Sequence, residues 1–379
     1  MKNERAFIRK CPQEKNGMLL DRRFQFLFAS LRLPIFLLLM SMLLNITNSL
    51  AFQNNPQHHV HPCPQSHSSQ SCGLSNSTHI VWPVSSISTS GILYQVEPRS
   101  FTEKDCMIYL RNNLMSFDVP NAQSLGFPKN FDHDQPLPDG LSEGLVGPTI
   151  SLALDAKRYP WTKHVPKEIY YEYVLNFANV NEGRTNWRPL LHEALWPLIE
   201  PLSSQSPSPN VEQIVNVVNA NIWDLFGKSI SFQSGKTPLI YDPMSIIAFG
   251  YASCTGLSIL LINALRAVGI PARLAGTSAW NGKKESGNHS WVEFFGSDGQ
   301  WHIMESRPAA GDVVNDLLDP CQWWFWRPEK VKGTTFHAAR LERSDAKSVP
   351  FPMAWDDDNH GVPGEDRSRF MGELCSKCI

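Results

Sequence analysis

The fold of this chain turns on residues 250–273, GYASCTGLSILLINALRAVGIPAR. Gly250 to Ala252 lead into a run from Cys254 to Val268 that carries Leu257, Ile259, Leu260, Leu261, Ile262, Ala264, Leu265 and Val268. Apolar residues on nearly every side of a helix require burial all round, so the run predicts a central helix rather than an amphipathic surface one. Gly269 and Pro271 end it, and Ala272 to Thr277 restart as a strand. Cys254 opens the helix, so its sulfur faces unpaired backbone N–H groups and the positive dipole end, which favours thiolate over thiol. Small neighbours Ser253, Thr255 and Gly256 leave room for a substrate carbonyl.

A thiolate nucleophile needs a base that can later protonate a leaving amine, and histidine suits that at neutral pH. His289 begins an alternating stretch to Phe295; a loop with Gly296, Asp298 and Gly299 follows, then a second strand from Trp301 to Glu305. His289, Trp291, Glu293 and Phe295 share one face of the first strand, and Trp301, Ile303 and Glu305 share one face of the second. An odd loop of three or five residues makes these faces coincide and brings the Glu305 carboxylate toward the His289 ring. That is the order nucleophile, base, orienting acid. The oxyanion would be held by the Cys254 backbone N–H and one side-chain donor, with Trp223 and Tyr251 as candidates.

Taken in order, Cys254-Thr255-Gly256-Leu257, Leu265 to Arg273 (LRAVGIPAR), Asn288-His289-Ser290-Trp291-Val292-Glu293, and Trp301 with the acid at 305 resemble the transglutaminase-like superfamily over about residues 220–310. The resemblance implies an α+β, papain-like core in which the central helix starts at the cysteine and packs on an antiparallel sheet. It implies Cys254 as nucleophile and His289 as base, with Glu305 where the family usually has Asp. Members transfer acyl groups from glutamine side chains to amines, cleave peptides or N-glycans, or have lost catalysis. The expectation is a cysteine-nucleophile amide hydrolase or acyltransferase acting on a protein or peptide substrate through a thioester, with no cofactor and no metal. Hydrolysis is favoured over cross-linking, because no calcium-binding loop of the kind associated with the large animal cross-linking enzymes is visible. The alternative is a catalytically inactive binding protein for glycan or protein partners.

The rest of the chain sets limits. At 379 residues and 42% hydrophobic, it can bury a core of one large domain or two ordinary ones. A net charge of −2 without a long Lys/Arg run lacks the electrostatic footprint of a nucleic-acid binder. One apolar run, Leu33 to Ile46, follows Arg22, Arg23 and Arg32 and precedes the small residues Ser49 and Ala51. It predicts a secretory signal cleaved after Ala51, or an uncleaved anchor given the long charged region ahead of it; membrane association is expected only in the anchored case. The Ala51-Phe52 junction also resembles the signal cleavage site of plastid-targeted proteins in algae with secondary plastids. Residues 1–51 carry eight Lys/Arg against three acids, so without them the chain stands at about −7.

Residues 52–90 read as a His/Ser/Pro-rich linker with a glycosylation acceptor at Asn76, and 91–205 as a mostly helical, aromatic-rich region. Phe101 to Phe117 reads as a helix, and Asn210 with Gln213 as the cap of another over Val211 to Phe226. The core spans 206–340, and 341–379 reads as a polar, acidic tail. Trp323, Trp324 and Trp326 are expected to pack internally rather than form a sugar platform. With Cys11 lost in the leader and Cys254 reserved, Cys63, Cys72, Cys106, Cys321, Cys375 and Cys378 form an even set able to make three disulfides.

Overall fold

Thr102 starts α1 (Glu103–Asn112) with a capping box: its hydroxyl accepts the Asp105 N–H, and the Asp105 carboxylate accepts the Thr102 N–H. The helix stops short of the expected Phe117 because the Asn113 side chain and backbone both donate to the Tyr109 carbonyl. Helices α2 (Val146–Ala156) and α3 (Trp187–Ser203) complete a mostly helical N-terminal region whose aromatic residues turn inward. In α4 (Val211–Asn221) the expected cap is present in full, with Asn210 and Gln213 exchanging two hydrogen bonds at 2.9 Å. Strands β1 (Ser231–Phe232) and β2 (Tyr251–Ala252) pair in parallel around α5 (Pro243–Phe249). Gly250, at φ 76°, closes α5 in the left-handed region and turns the chain into β2.

The central helix α6 (Cys254–Ala267) is buried at every residue from Thr255 onward. Each fully buried Leu or Ile contributes about 1.5–3 kcal/mol relative to exposure, which is why so apolar a run takes the middle of the domain. It packs on an antiparallel sheet of β3 (Ala272–Thr277), β4 (His289–Phe295), β5 (Trp301–Met304), β6 (His337–Ala339), β7 (Val349–Pro350) and β8 (Pro363–Asp366), in the order β5-β4-β3-β6-β8-β7. The fold is therefore α+β, as the sequence implied.

This computed structural model describes residues 101–129, 144–310, 318–323, 325–342 and 348–378. The leader, the linker, Asn76, Cys63, Cys72 and Trp324 lie outside the described residues. The described residues fall in one compact unit that begins at Ile80. None of their helices is long and apolar enough to cross a membrane.

The two sheet faces carry separate cores. Leu274, Val292, Phe294 and Met304 face α6. Ala275, Trp291, Ile303 and Ala338 face a second core of Trp280, Trp323, Phe325, Trp326 and Phe336. Trp323 and Trp326 thus pack internally, as expected.

Residues past 340 correct the sequence reading. Instead of a tail they form β7, β8 and α7 (Ser368–Ser376), and Met371, Leu374 and Cys375 of α7 join the second core. The segment looks polar because its strands are only two and four residues long and two of its charged residues, Glu365 and Arg367, pair across the sheet. Arg273 on β3 stands opposite Glu293 on β4 and pairs with it at 2.7 Å, both fully buried. Glu365 on β8 takes Arg273 Nη1 at 2.9 Å, and Arg367 donates to the second Glu293 oxygen at 3.0 Å. Two arginines and two carboxylates thereby join three strands. A disulfide joins Cys321 to Cys378 at the end of α7. Cys106 and Cys375 are buried free thiols, so the even set does not resolve into three bridges. Burial and the nearby Asp105 push the Cys106 thiol up to about 12, as fits a core residue.

Glu293→Ala should cost about 3–5 kcal/mol, because it leaves the buried Arg273 and the partly buried Arg367 without their shared carboxylate. Glu373→Ala, at an exposed pair with Arg369, should cost roughly 0.5 kcal/mol or less. Urea unfolding of both variants measures the difference.

Candidate active site

Cys254 is the first residue of α6, preceded by the N-cap Ser253. Its backbone N–H therefore has no intrahelical acceptor and stands free for an oxyanion. The Ser253 hydroxyl does not cap the helix; it meets the Thr237 hydroxyl at 2.6 Å. Partly exposed, Cys254 lies in the wall of a cavity of about 600 Å³.

The β4–β5 register settles how His289 finds its carboxylate. Phe295 pairs with Trp301 and Glu293 with Ile303 across a five-residue loop, so the expected odd spacing is met and the faces coincide. Glu305, one residue beyond β5, places Oε2 2.7 Å from His289 Nε2. Both side chains are buried. The extra methylene of Glu is accommodated because Glu305 lies past the strand end, where the Asn219 amide holds its carbonyl at 2.9 Å and the Ser306 N–H holds Oε1 at 3.2 Å.

With Nε2 committed to Glu305, the ring offers Nδ1 to the hydrogen bond it shares with the Cys254 sulfur. Burial opposes ionisation of the thiol. The His289 charge and hydrogen bond, with a hydrogen bond from the Ser290 backbone, outweigh it and hold the thiol below its ordinary value. Burial likewise opposes the imidazolium, but Glu305 and Cys254 raise His289 to about 10. The pair favours thiolate and imidazolium through neutral pH.

Two contacts fix the imidazole. Phe325 packs edge-on at 4.6 Å between ring centroids. On the β3 side, Gly276 faces the strand so closely that a Cβ there would lie 2.4 Å from the His289 carbonyl oxygen. Only glycine permits β3 to run this near to the residue that carries the base.

The oxyanion candidates are not brought to the site. Trp223 is buried and spends its indole N–H on Asn219, at 2.6 Å from the carbonyl and 3.2 Å from the side-chain oxygen. Tyr251 packs beside Phe249 at 6.1 Å, under the Lys236 ammonium at 5.2 Å, and neither residue lines the cavity. The cavity draws on three other segments instead. Phe232, Ser234, Gly235, Thr237 and Pro238 form one wall, Gly287 and Asn288 a second, and Ala354 and Trp355 a third. The last pair falls in the stretch that reads as tail and carries no local signal. Asn181 ties the walls together: its carbonyl accepts the Tyr241 hydroxyl at 2.7 Å, its side-chain oxygen the Trp355 indole N–H at 3.2 Å, and its amide donates to Asp356 at 2.7 Å.

Glu212, Asp298 and His302 also approach one another, with possible ligand atoms within 4.8 Å. The Ser297 N–H and hydroxyl both reach Glu212 at 2.9 Å, and Asp298 takes His302 at 2.9 Å. These bonds fasten the β4–β5 turn to the start of α4.

A thiol at a helix start, an imidazole on β4 and a carboxylate just past β5 define a cysteine-centred site on an α+β frame. Residues 203–306 match the model of the Transglutaminase-like superfamily. Among solved structures, the chain is similar to one named "Putative Cysteine Protease from Cytophaga hutchinsonii", with 15% identity and a TM-score of 0.27, covering 54% of this chain. The chain spans 64% of that protein's length. A comparison with curated proteins finds no match.

Iodoacetamide should alkylate Cys254 at a rate that stays flat through neutral pH and falls only below the depressed thiol pKa. In His289→Ala, burial is opposed only by the Ser290 backbone hydrogen bond, and the midpoint should move up toward or above the ordinary thiol value of about 8.5. In Glu305→Gln the imidazolium loses its main support, so its deprotonation should move to lower pH. Rate–pH profiles of the three proteins measure all of this.

Proposed function

We propose that this protein is a cysteine acyl-transfer enzyme acting on peptide or related amide bonds. The observation that carries the reading is the arrangement of the Cys254 sulfur, His289 ring and Glu305 carboxylate in hydrogen-bonded order at an open cavity. The Cys254 thiolate attacks the amide carbonyl, and the backbone N–H of Cys254 receives the developing oxyanion. The His289 imidazolium gives its proton to the departing nitrogen. A thioester remains on Cys254; neutral His289 then takes a proton from water or an amine as that molecule attacks, and the thiolate is regenerated. Glu305 contacts neither sulfur nor substrate. It is a positioning residue that holds the ring and supports its charge.

Hydrolysis is favoured over transfer to an amine. The cavity opens to solvent beside the exposed Asn288, so water reaches the thioester without a partner having to dock. Entry into the secretory route through residues 1–51 remains part of the proposal.

Intact-mass measurement after acid quench should reveal an acyl adduct when the protein is mixed with a peptide library. Cys254→Ala should show none, and His289→Ala should lose about 10²-fold or more in its rate of formation. With an added primary amine, free acid should outweigh amine conjugate; a dominant conjugate would reverse the order of the two outcomes.

A further inference from the structure

The walls around Cys254 bear on which amides it can take. Apart from the reacting pair Cys254 and His289, none of the described residues lining the cavity is acidic or basic. Its larger side chains are Phe232, Pro238 and Trp355, with Ala309 and Ala354 between them. Much of the polar capacity is already spent: the Thr237 and Ser253 hydroxyls bond each other, and the Trp355 indole N–H is held by Asn181. Among charges flanking these segments, Lys284 pairs with Asp357, Lys236 lies over the Tyr251 ring and Asp356 accepts the Asn181 amide, and none of these residues lines the cavity. Phe232 is 43% exposed and Leu239, next to Pro238, is 84% exposed, so the apolar wall continues outward to the rim. A charged side chain entering here would lose water and find no counter-charge among the described lining residues beyond the reacting pair, whereas an apolar one would cover surface that is otherwise wet.

Resting on the amide-cleaving reading above, we infer that the substrate carries an uncharged, apolar side chain beside the attacked carbonyl, seated against Phe232, Pro238 and Trp355. Specificity then comes from the absence of a counter-ion as much as from the apolar contact, since exclusion of a charge needs no residue that recognises it. The residues concerned come from two distant segments, so the preference depends on Asn181 holding the Trp355 wall against the segment around Tyr241.

The test is a competition among peptidyl chloromethyl ketones that are identical except for Leu, Phe, Gln, Glu or Lys next to the ketone, pooled at equal concentration. Attack of the Cys254 thiolate forms a thioether and expels chloride, and the adducts are counted by mass spectrometry of the Cys254 peptide after digestion, with a different isotope label in the cap of each ketone to keep the near-isobaric Gln, Glu and Lys adducts apart. Because all five compete for one protein sample, partial misfolding cancels from the ratios. Leu and Phe adducts should exceed Glu and Lys adducts by about tenfold or more. Phe232→Ala should narrow that ratio, and Ala354→Asp, on a partly exposed wall position, should raise Lys relative to Leu while lowering Glu further. Equal labelling by all five, or a charged side chain in the lead, overturns the inference and leaves the cysteine chemistry standing. Failure of every ketone to label Cys254, while iodoacetamide still alkylates it rapidly, overturns the amide-cleaving reading and the inference with it.

Discussion

A helix buried on all sides can hold its place only if its terminal backbone groups are satisfied, and α6 meets this requirement differently at its two ends. At the C-terminal end Arg188 donates to the Arg266 carbonyl at 2.9 Å, while the Arg266 guanidinium takes the carbonyls of Ala272 and Ala178 at 2.8–3.0 Å. Burial draws Arg188 down to about 9 and Arg266 to about 10, yet both stay protonated at neutral pH and oppose the negative end of the helix dipole. The other end opens into the cavity, where no capping side chain covers the N–H groups of the first turn. A helix so anchored cannot slide along its axis, and the position of Cys254 follows from arginines a full helix length away.

His289 belongs to the boundary between two cores. Its neighbour Ser290 turns toward α6, where its hydroxyl meets Thr255 at 3.1 Å and its carbonyl takes the Ser258 hydroxyl at 3.3 Å. The imidazole itself rests against Phe325 of the other core. The base is therefore held by packing on both sides of the sheet, and the hairpin that carries it is fastened at its turn by Glu212 and Ser297. Rigidity of this kind lets a buried ion pair act without rearranging during the reaction.

Much of this was legible in the residues because it depends on periodicity. The apolar run after Cys254 could only be a central helix, and parity alone put His289 and Glu305 on one face once the loop proved to have five residues. The Asn210 and Gln213 cap was read correctly because it is local. What escaped detection is non-local. Trp355 and Asn181 lie 174 positions apart and meet only in the folded chain. Strands of two to four residues, such as Val349–Pro350 and Pro363–Asp366, are too short to show alternation, and proline and glycine in the second resemble turn signals. Trp223 is a residue type able to donate to an oxyanion, but the fold assigns its N–H to Asn219.

The sheet order places a limit on how finely the molecule can be divided. Residues 203–306 contain the helix, the hairpin and all three members of the site, yet β6, β8 and β7 complete the sheet beyond β3 and come from after residue 336. Glu293 takes one of its two guanidiniums from Arg367, and α6 takes its C-terminal support from Arg188, so both flanks reach into the middle. The recognisable core is thus a unit of sequence similarity without being an autonomous module: transplanted alone, it would present the bare edge of β3 and a half-neutralised carboxylate in place of an interior.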